Sequence, residues 1–107
     1  MTEPAALPLV IVLGTFDVDP TDRETFIQSR AEQVATSRAE AGNLEYAFSA
    51  DGIDPGRVRL TELWASEVDF QAHVARISAE RGPDGPVEVV PVRARTFSTF
   101  HAGPLGA

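Results

Sequence analysis

His73 is the residue of this sequence best suited to proton transfer. It borders an apolar stripe that Phe70, Val74 and Ile77 form at helical spacing, so its ring could reach into the space between that helix and a sheet. A neutral imidazole in such a place can take a proton from a phenolic or carbon acid near neutral pH. The alternative interpretation is a structural histidine at the helix edge, hydrogen-bonded to Asp69 one turn earlier.

Trp64 and Glu62 lie two residues apart and therefore share one face of a predicted strand. If that face meets the helices, the indole offers a flat wall for an aromatic substrate. The carboxylate could then hold His73 or a substrate hydroxyl. The structural alternatives are that the tryptophan is ordinary core and that the glutamate pairs with an arginine such as Arg93 or Arg95.

Further aromatic side chains are candidates for the lining of a substrate pocket. Core packing is the simpler interpretation of each, and contact with an aromatic substrate is the functional alternative. These candidates are Phe16, Phe48, Phe70 and Phe97.

The sequence does not indicate a metal site. Asp17, Asp19 and Asp22 cluster as in a metal-binding loop, but a turn and a helix cap explain them more simply, and the further ligands of a calcium loop are missing. The absence of cysteine excludes thiolate ligands and cysteine nucleophiles. No phosphate-binding loop, nucleophile elbow or paired-histidine motif is present.

The elements that must position these residues follow from the apolar periodicity, which predicts the order β-α-β-β-α-β. This is a ferredoxin-like α+β fold, with a four-stranded antiparallel sheet and both helices on one face. Pro91 interrupts the last strand and suggests an edge position or a bulge. The predicted strands cover residues 9–16, 44–50, 58–65 and 87–100, and the predicted helices cover 21–41 and 66–81.

The first helix has two possible starts. Either Asp19 caps it with Pro20 at its first position, or Thr21 caps it and Glu24 completes a capping box. Arg30 is predicted to lie outside the apolar stripe of this helix. The members of that stripe are Phe26, Ile27, Ala31, Val34 and Ala35.

One face of the predicted sheet has no helix to cover it. If the alternation of the strands holds, this face carries Leu9, Ile11, Leu13 and Leu63. An apolar sheet face is unstable in water, so we expect two copies of the chain to place these faces together. The result is a closed, barrel-like homodimer.

The bulk composition fits one small domain over residues 1–107, with a core at about 9–100 and short flexible termini. Sixteen carboxylates against nine arginines give a net charge of −7, which argues against nucleic-acid and membrane partners. The apolar run at 7–13 is too short to span a bilayer and lacks a basic segment before it. We therefore predict a cytoplasmic protein.

Three segments, in this order, resemble the antibiotic biosynthesis monooxygenase family. They are Glu-Ala-Gly-Asn-Leu-Glu-Tyr at 40–46, Leu-Thr-Glu-Leu-Trp-Ala-Ser at 60–66 and Phe-Gln-Ala-His at 70–73. The corresponding family features are a helix end with E-x-G-x-x-x-Y, a strand with E-x-W and a following helix with A-H. The resemblance covers about residues 9–100. It implies a homodimeric α+β barrel with one pocket per subunit, between the sheet and its own helices.

The resemblance also implies an activity, the cofactor-independent oxygenation of a small electron-rich aromatic such as an anthrone or quinol. Molecular oxygen is the second substrate and no cofactor is expected. In this interpretation His73 is the base, Trp64 the wall and Glu62 the orienting carboxylate. The fold alone does not fix a function. A non-catalytic dimeric small-molecule-binding module and an isomerase of the same fold remain as alternatives.

Departures from the family patterns narrow the choice among its activities. Anthrone oxygenases carry an asparagine and a tyrosine where this chain has Leu60 and Phe70. The haem-degrading members have an asparagine that falls near Leu13 or Gly14, a haem-ligating histidine around Pro83 and a tryptophan where His73 stands. None of these three residues is present here. The resemblance is therefore nearest to the quinol-monooxygenase-like group, which keeps the histidine.

Overall fold

The computed structural model describes residues 9–83 and 88–102, and in them the predicted ferredoxin-like fold is confirmed. The strands form one antiparallel sheet in the order β2-β3-β1-β4, with the helices on one of its faces. A 3₁₀ turn at Pro20–Asp22 precedes the first helix. The strands are β1 Leu9–Asp17, β2 Asn43–Ala50, β3 Arg57–Trp64 and β4 Ala94–Ala102, and the helices are α1 Arg23–Ser29, α2 Ala31–Arg38 and α3 Glu67–Arg81.

Burial alternates from residue to residue along the two central strands, β1 and β3, as their sequences predict. In β1, Val10, Val12 and Phe16 are buried against the helices, and in β3 every second residue from Val58 to Trp64 is buried on the same face. Cross-strand pairing places Glu62 beside Val12. The core of the chain therefore lies between the helices and this face of the sheet.

The first helix is not continuous, contrary to the prediction for residues 21–41. Asp19 caps the 3₁₀ turn by accepting from the Thr21 backbone N–H at 2.9 Å, so the first of the two possible starts is the one observed. Arg30 then leaves the helical hydrogen-bond pattern between α1 and α2. The buried positions nevertheless keep one helical phase across this break, since Arg30 and Ser37 lie four and eleven residues after the buried Phe26. Ala31 and Ala35, predicted as core, lie away from this face and are exposed.

Strand β2 begins with an irregularity that the alternation did not predict. Its pairing with β3 shifts between Asn43 and Glu45, and Leu44 is left 56% exposed. Beyond the shift, Tyr46 faces the helices and is buried. Gly42, just before the strand, adopts φ of 79°, the left-handed conformation in which glycine commonly follows the end of a helix.

Strand β4 is shorter at its start than predicted. It begins at Ala94, and Pro91 lies before the strand instead of interrupting it; Val87 lies outside the described residues. The segment before β4 is still attached to the core, because Val90 is buried and the Arg93 backbone N–H donates to the Asp17 carbonyl at 2.8 Å. The strand continues to Ala102, two residues past its predicted end, and forms one edge of the sheet.

The sheet face opposite the helices is partly apolar, as predicted. Leu13 is 47% exposed there, and Phe100 lies on the same face next to Ile11. No other chain is present, so the homodimer stays a prediction. In the described part of the chain, none of the helices has the length and apolar character needed to cross a membrane.

Candidate functional site

A cavity of about 230 Å³ lies between the sheet and the helices. Its floor comes from β1, β2, β3 and β4, and its other walls come from α3 and from the junction of α1 and α2. All four candidate phenylalanines line it, whereas their contact with a substrate stays a prediction. The polar side chains on its wall are Arg30, Gln33, Tyr46, Glu62, His73, Ser78, Arg81 and Thr99.

His73 is the buried residue of α3, not a residue on the edge of its buried face. It is 5% exposed, whereas Val74, predicted to belong to the apolar stripe, is 38% exposed. The predicted alternative partner, Asp69, instead accepts from the Ser66 hydroxyl through its carboxylate and donates its backbone N–H to the same hydroxyl oxygen. The Nδ1 atom of His73 lies 2.7 Å from Glu40 Oε1, so a residue 33 positions away orients the ring.

Glu40 is held in place by a second partner. Arg76 donates from Nε to Oε2 at 2.7 Å and from Nη2 to Oε1 at 3.2 Å. Burial acts to raise the pKa of Glu40, but the hydrogen bonds from Arg76 and His73 outweigh it and hold the pKa below its usual value. A carboxylate accepts hydrogen bonds only, so Nδ1 of His73 carries the hydrogen. In the neutral ring, Nε2 is then the nitrogen with the free lone pair.

Glu62 lies on the other side of the imidazole. Its Oε1 atom accepts from Trp64 Nε1 at 2.9 Å and is 3.7 Å from His73 Nε2, too far for a direct hydrogen bond. Burial raises the pKa of Glu62, although the Trp64 hydrogen bond and the His73 charge act to lower it. The alternative of an arginine partner is not observed, since Arg93 pairs with Asp19 and Arg95 with Glu88.

Trp64 does not line the cavity, which differs from the expectation of a wall. Its side chain is completely buried, and its ring centroid is 4.7 Å from that of His73. The indole supports the imidazole from the core side and fixes Glu62 through its N–H. Any effect of Trp64 on a bound molecule therefore passes through these two residues.

Tyr46 completes the surroundings of His73 and was not singled out from its residue type. Its ring meets the imidazole edge-on with centroids 5.4 Å apart, and its hydroxyl accepts from Gln33 Nε2 at 2.6 Å. Burial is the main cause that raises the pKa of Tyr46. The phenol is thus a neutral hydrogen-bonding group on the cavity wall at physiological pH.

Arg30 forms a separate cationic part of the wall. Its guanidinium lies 4.5 Å from the ring centroid of Phe26, and Nη2 donates to both oxygens of Glu88 at 2.8 and 2.9 Å. Glu88 also accepts from Arg95 at 3.2 Å. The prediction placed Arg30 outside the buried stripe because arginine is mostly exposed, although this residue lies four positions after Phe26 and so on the same helix face.

Two further expectations concern metals and the second histidine. The described residues contain no cluster of histidine, aspartate and glutamate side chains that could hold a metal ion. Of the three clustered aspartates, Asp19 caps the 3₁₀ turn and Asp17 accepts from Arg57 at 3.0 Å. His101, given no role from sequence, pairs with Glu67 at 2.7 Å on the surface.

Comparison with known structures identifies the same fold elsewhere. A protein of Shewanella oneidensis matches with a TM-score of 0.72 at 21% identity, over 89% of this chain and 91% of that chain. A protein of Deinococcus radiodurans, proposed to be an antibiotic biosynthesis monooxygenase, matches with 0.67 at 23%, over 89% and 93%. The haem-degrading MhuD of Mycobacterium tuberculosis matches with 0.67 at 17%, over 87% and 94%. At these identities the likeness shows the fold alone.

A match at the level of sequence identifies the family. Among curated proteins, none shows a significant match to this chain. The family model described as antibiotic biosynthesis monooxygenase, however, matches residues 9–81, which contain all three sequence segments that resemble the family. The chain therefore belongs to the antibiotic biosynthesis monooxygenase family.

Proposed function

We propose that the protein is a cofactor-independent monooxygenase of small electron-rich aromatic compounds of the quinol or anthrone type. The observation that carries the proposal is the setting of His73. Its Nδ1 atom is fixed by Glu40 at 2.7 Å, which leaves Nε2 as the basic atom beside an aromatic-lined cavity. An oriented imidazole is the most common general base in enzymes.

The cavity suits a small aromatic molecule in size and lining. A cavity of about 150 Å³ can hold one benzene ring, and this cavity measures about 230 Å³. Phe16, Phe48, Phe70 and Phe97 offer ring faces and edges for stacking. We therefore expect a substrate of one or two rings to enter completely and a larger one to project through the open side, where Phe97 is half exposed.

The proposed reaction begins with proton transfer from the substrate to Nε2 of His73. The imidazolium that forms is stabilised by the Glu40 carboxylate, as the carboxylate of a catalytic triad stabilises its histidine. The substrate anion then gives electrons to dioxygen. For a methylene carbon, the overall change is R₂CH₂ + O₂ → R₂C=O + H₂O, so one oxygen atom enters the product and the other leaves as water.

Glu62 and Tyr46 support this chemistry from the cavity wall. Burial raises the pKa of Glu62 and so shifts its titration towards the protonated form, in which it can donate a hydrogen bond to a substrate oxygen near Nε2. The Tyr46 phenol can do the same from the neighbouring strand. The apolar lining limits access of water to the substrate anion and to reactive oxygen intermediates.

The test is oxygen uptake with a panel of anthrones, naphthols and hydroquinones, in buffer treated to remove metals. His73→Gln removes the base and keeps a polar side chain of similar size. His101→Gln is the matched control, since it removes the other histidine, which is half exposed and paired with Glu67 outside the cavity. We expect the first variant to lose about 10²–10⁴-fold in rate and the second to match the wild type.

Three outcomes would contradict the proposal. Equal uptake by His73→Gln and the wild type would exclude this histidine as the base. Tight binding of an aromatic compound without oxygen consumption would favour the non-catalytic binding module, and product formed without oxygen would favour an isomerase.

A further inference from the structure

Arg30 has hydrogen-bonding capacity that the described residues do not use. Its residue surface is only 9% exposed, yet among the described residues its buried Nε atom has no hydrogen-bond partner. In the same part of the chain Nη2 donates to Glu88, and Nη1 donates no hydrogen bond. An unpaired donor in a buried position costs stability. Since Nε has no solvent contact, Nη1 is the atom through which a ligand in the cavity can reach this guanidinium.

The guanidinium is also rigidly placed. Three phenyl rings surround it, with centroids 4.5, 5.6 and 5.7 Å from its central carbon, and these belong to Phe26, Phe16 and Phe48. A planar cation stacked in this way loses little further freedom when it binds an anion. Arg30 and two of these rings, Phe16 and Phe48, line the cavity.

The charge around Arg30 is positive although the chain is acidic overall. Glu88 is the single carboxylate shared by Arg30 and Arg95. Arg81 lines the same cavity, and its charge is one of the influences that act to lower the pKa of the Tyr46 hydroxyl. This part of the wall therefore carries a local positive excess in a protein of net charge −7.

The cationic part and the His73 part lie at different places along the wall. The guanidinium carbon of Arg30 lies 5.7 Å from the ring centroid of Phe48. The ring centroids of Phe48 and Tyr46 are 6.0 Å apart, and those of Tyr46 and His73 are 5.4 Å apart. Arg30 and His73 both line the cavity, so an aromatic ligand long enough to span it would meet Arg30 with one substituent and His73 with another.

We propose that Arg30, with Arg81, forms a carboxylate-binding subsite, and that the cavity takes aromatic carboxylic acids. This inference deepens the proposed function, because it names the substrate class of the same cavity. The carboxylate binds Arg30, the ring lies among the phenylalanines, and the acidic C–H or hydroxyl group faces His73.

The test compares the binding of 2-naphthoate with that of its neutral counterpart 2-naphthamide, by calorimetry in the absence of oxygen. A charge-assisted hydrogen bond is about twice as strong as a neutral one, so we expect naphthoate to bind the wild type about tenfold more tightly. Arg30→Met should abolish the preference. Arg93→Met, which removes an arginine that pairs with Asp19 and does not line the cavity, should keep it.

A second variant and a spectroscopic measurement cover the case in which Arg30→Met does not fold. Arg81→Met should reduce the preference, because this residue lies at the helix end and makes no ion pair among the described residues. In the wild type, naphthoate should shift the Nε–H resonance of Arg30, whereas naphthamide should not.

Equal affinities for the two probes, or a preference retained in Arg30→Met, would overturn the subsite. Because binding is measured without oxygen, the result is independent of turnover. A carboxylate preference in a protein that consumes no oxygen would contradict only the monooxygenase. Oxygenation of neutral quinols without any such preference would contradict only the subsite.

Discussion

The hydrogen bond between Trp64 and Glu62 allows a test of how the site is built. The donor side chain is completely buried, the acceptor residue is 6% exposed, and the two atoms are 2.9 Å apart. Glu62→Gln keeps an acceptor oxygen and removes the charge, whereas Glu62→Met has a similar length and removes both. A buried donor left without a partner costs about 1–3 kcal/mol. We therefore expect the Gln variant to be more stable than the Met variant by about that amount.

The pH dependence of the same variant tests the burial of the carboxyl group. Burial raises the pKa of Glu62 above its unfolded value of about 4.5. Above pH 4.5 the unfolded chain therefore loses this proton first, and the contribution of Glu62 to stability falls until the pH passes its folded pKa. Gln does not titrate. The stability difference between Glu62→Gln and the wild type should move in favour of Gln as the pH rises from 4 to 8.

The assay is guanidinium unfolding at fixed protein concentration, followed by the fluorescence of Trp64, the single tryptophan. Circular dichroism at each pH checks that the same transition is observed. Equal stability of the Gln and Met variants at pH 7 would refute the hydrogen-bond argument. A difference between Gln and wild type that does not change with pH would refute the burial argument.

Two further predictions concern the charge network and the bare sheet face. The lowered pKa of Glu40 stabilises the protein above the unfolded value of about 4.5, and this contribution is lost as the pH falls through the folded pKa. Glu40→Gln should therefore lower the free energy of unfolding by about 1.5–3 kcal/mol at pH 7. In urea titrations at a series of pH values, the stability of this variant should also fall less steeply towards acid pH than that of the wild type, and an equally steep fall would contradict the prediction. Leu13→Asp should convert the predicted homodimer to a monomer in light scattering, because it places a charge on the sheet face opposite the helices. Ile53→Asp, at a 93% exposed hairpin position, should leave the dimer intact, and a dimer that survives both changes would exclude this interface.

Much of the fold could be predicted because burial leaves a local period in the sequence. Strand β3 is the clearest instance. Its alternate residues from Val58 to Trp64 all face the core, since each position on a pleated strand points to the side opposite its neighbours. Such a pattern needs no knowledge of distant residues. The same reasoning placed Glu62 and Trp64 on one face, although it did not reveal which of them would reach the cavity.

The burial of Arg30 could not be predicted in this way. Arg30 lies four residues after Phe26 and is buried on the same helix face, and Ser37 is buried there too beyond the break between α1 and α2. Arginine is mostly exposed in proteins, so its residue type assigned it to the solvent face. The groups that make its burial possible include Phe16, Phe48 and Glu88, which are distant in the sequence.

The partners of His73 were missed for a different reason. Glu40 and His73 are 33 residues apart, and only the packing of α3 against the segment after α2 brings them together. Within that segment Gly42 is needed, since a Cβ atom in its place would lie 2.1 Å from Asp69 Oδ2. The family motif includes both Glu40 and Gly42, but a motif gives no pairing. The local choice of Asp69 as the partner of His73 was consequently wrong.

The energetics of the cluster are consistent with the proposed acid–base role. Glu62, His73 and Glu40 are withdrawn from water side by side, and each carries a desolvation cost that apolar residues of the same volume would not. The bonds from Trp64 and Arg76 recover part of this cost and also fix the orientation of the groups. The pKa of the carboxyl group on one side of the imidazole is raised and that of the carboxylate on the other side is lowered, and environments that separate the pKa values of neighbouring groups in this way are characteristic of acid–base sites. Apolar residues of the same volume would fill the core without this cost.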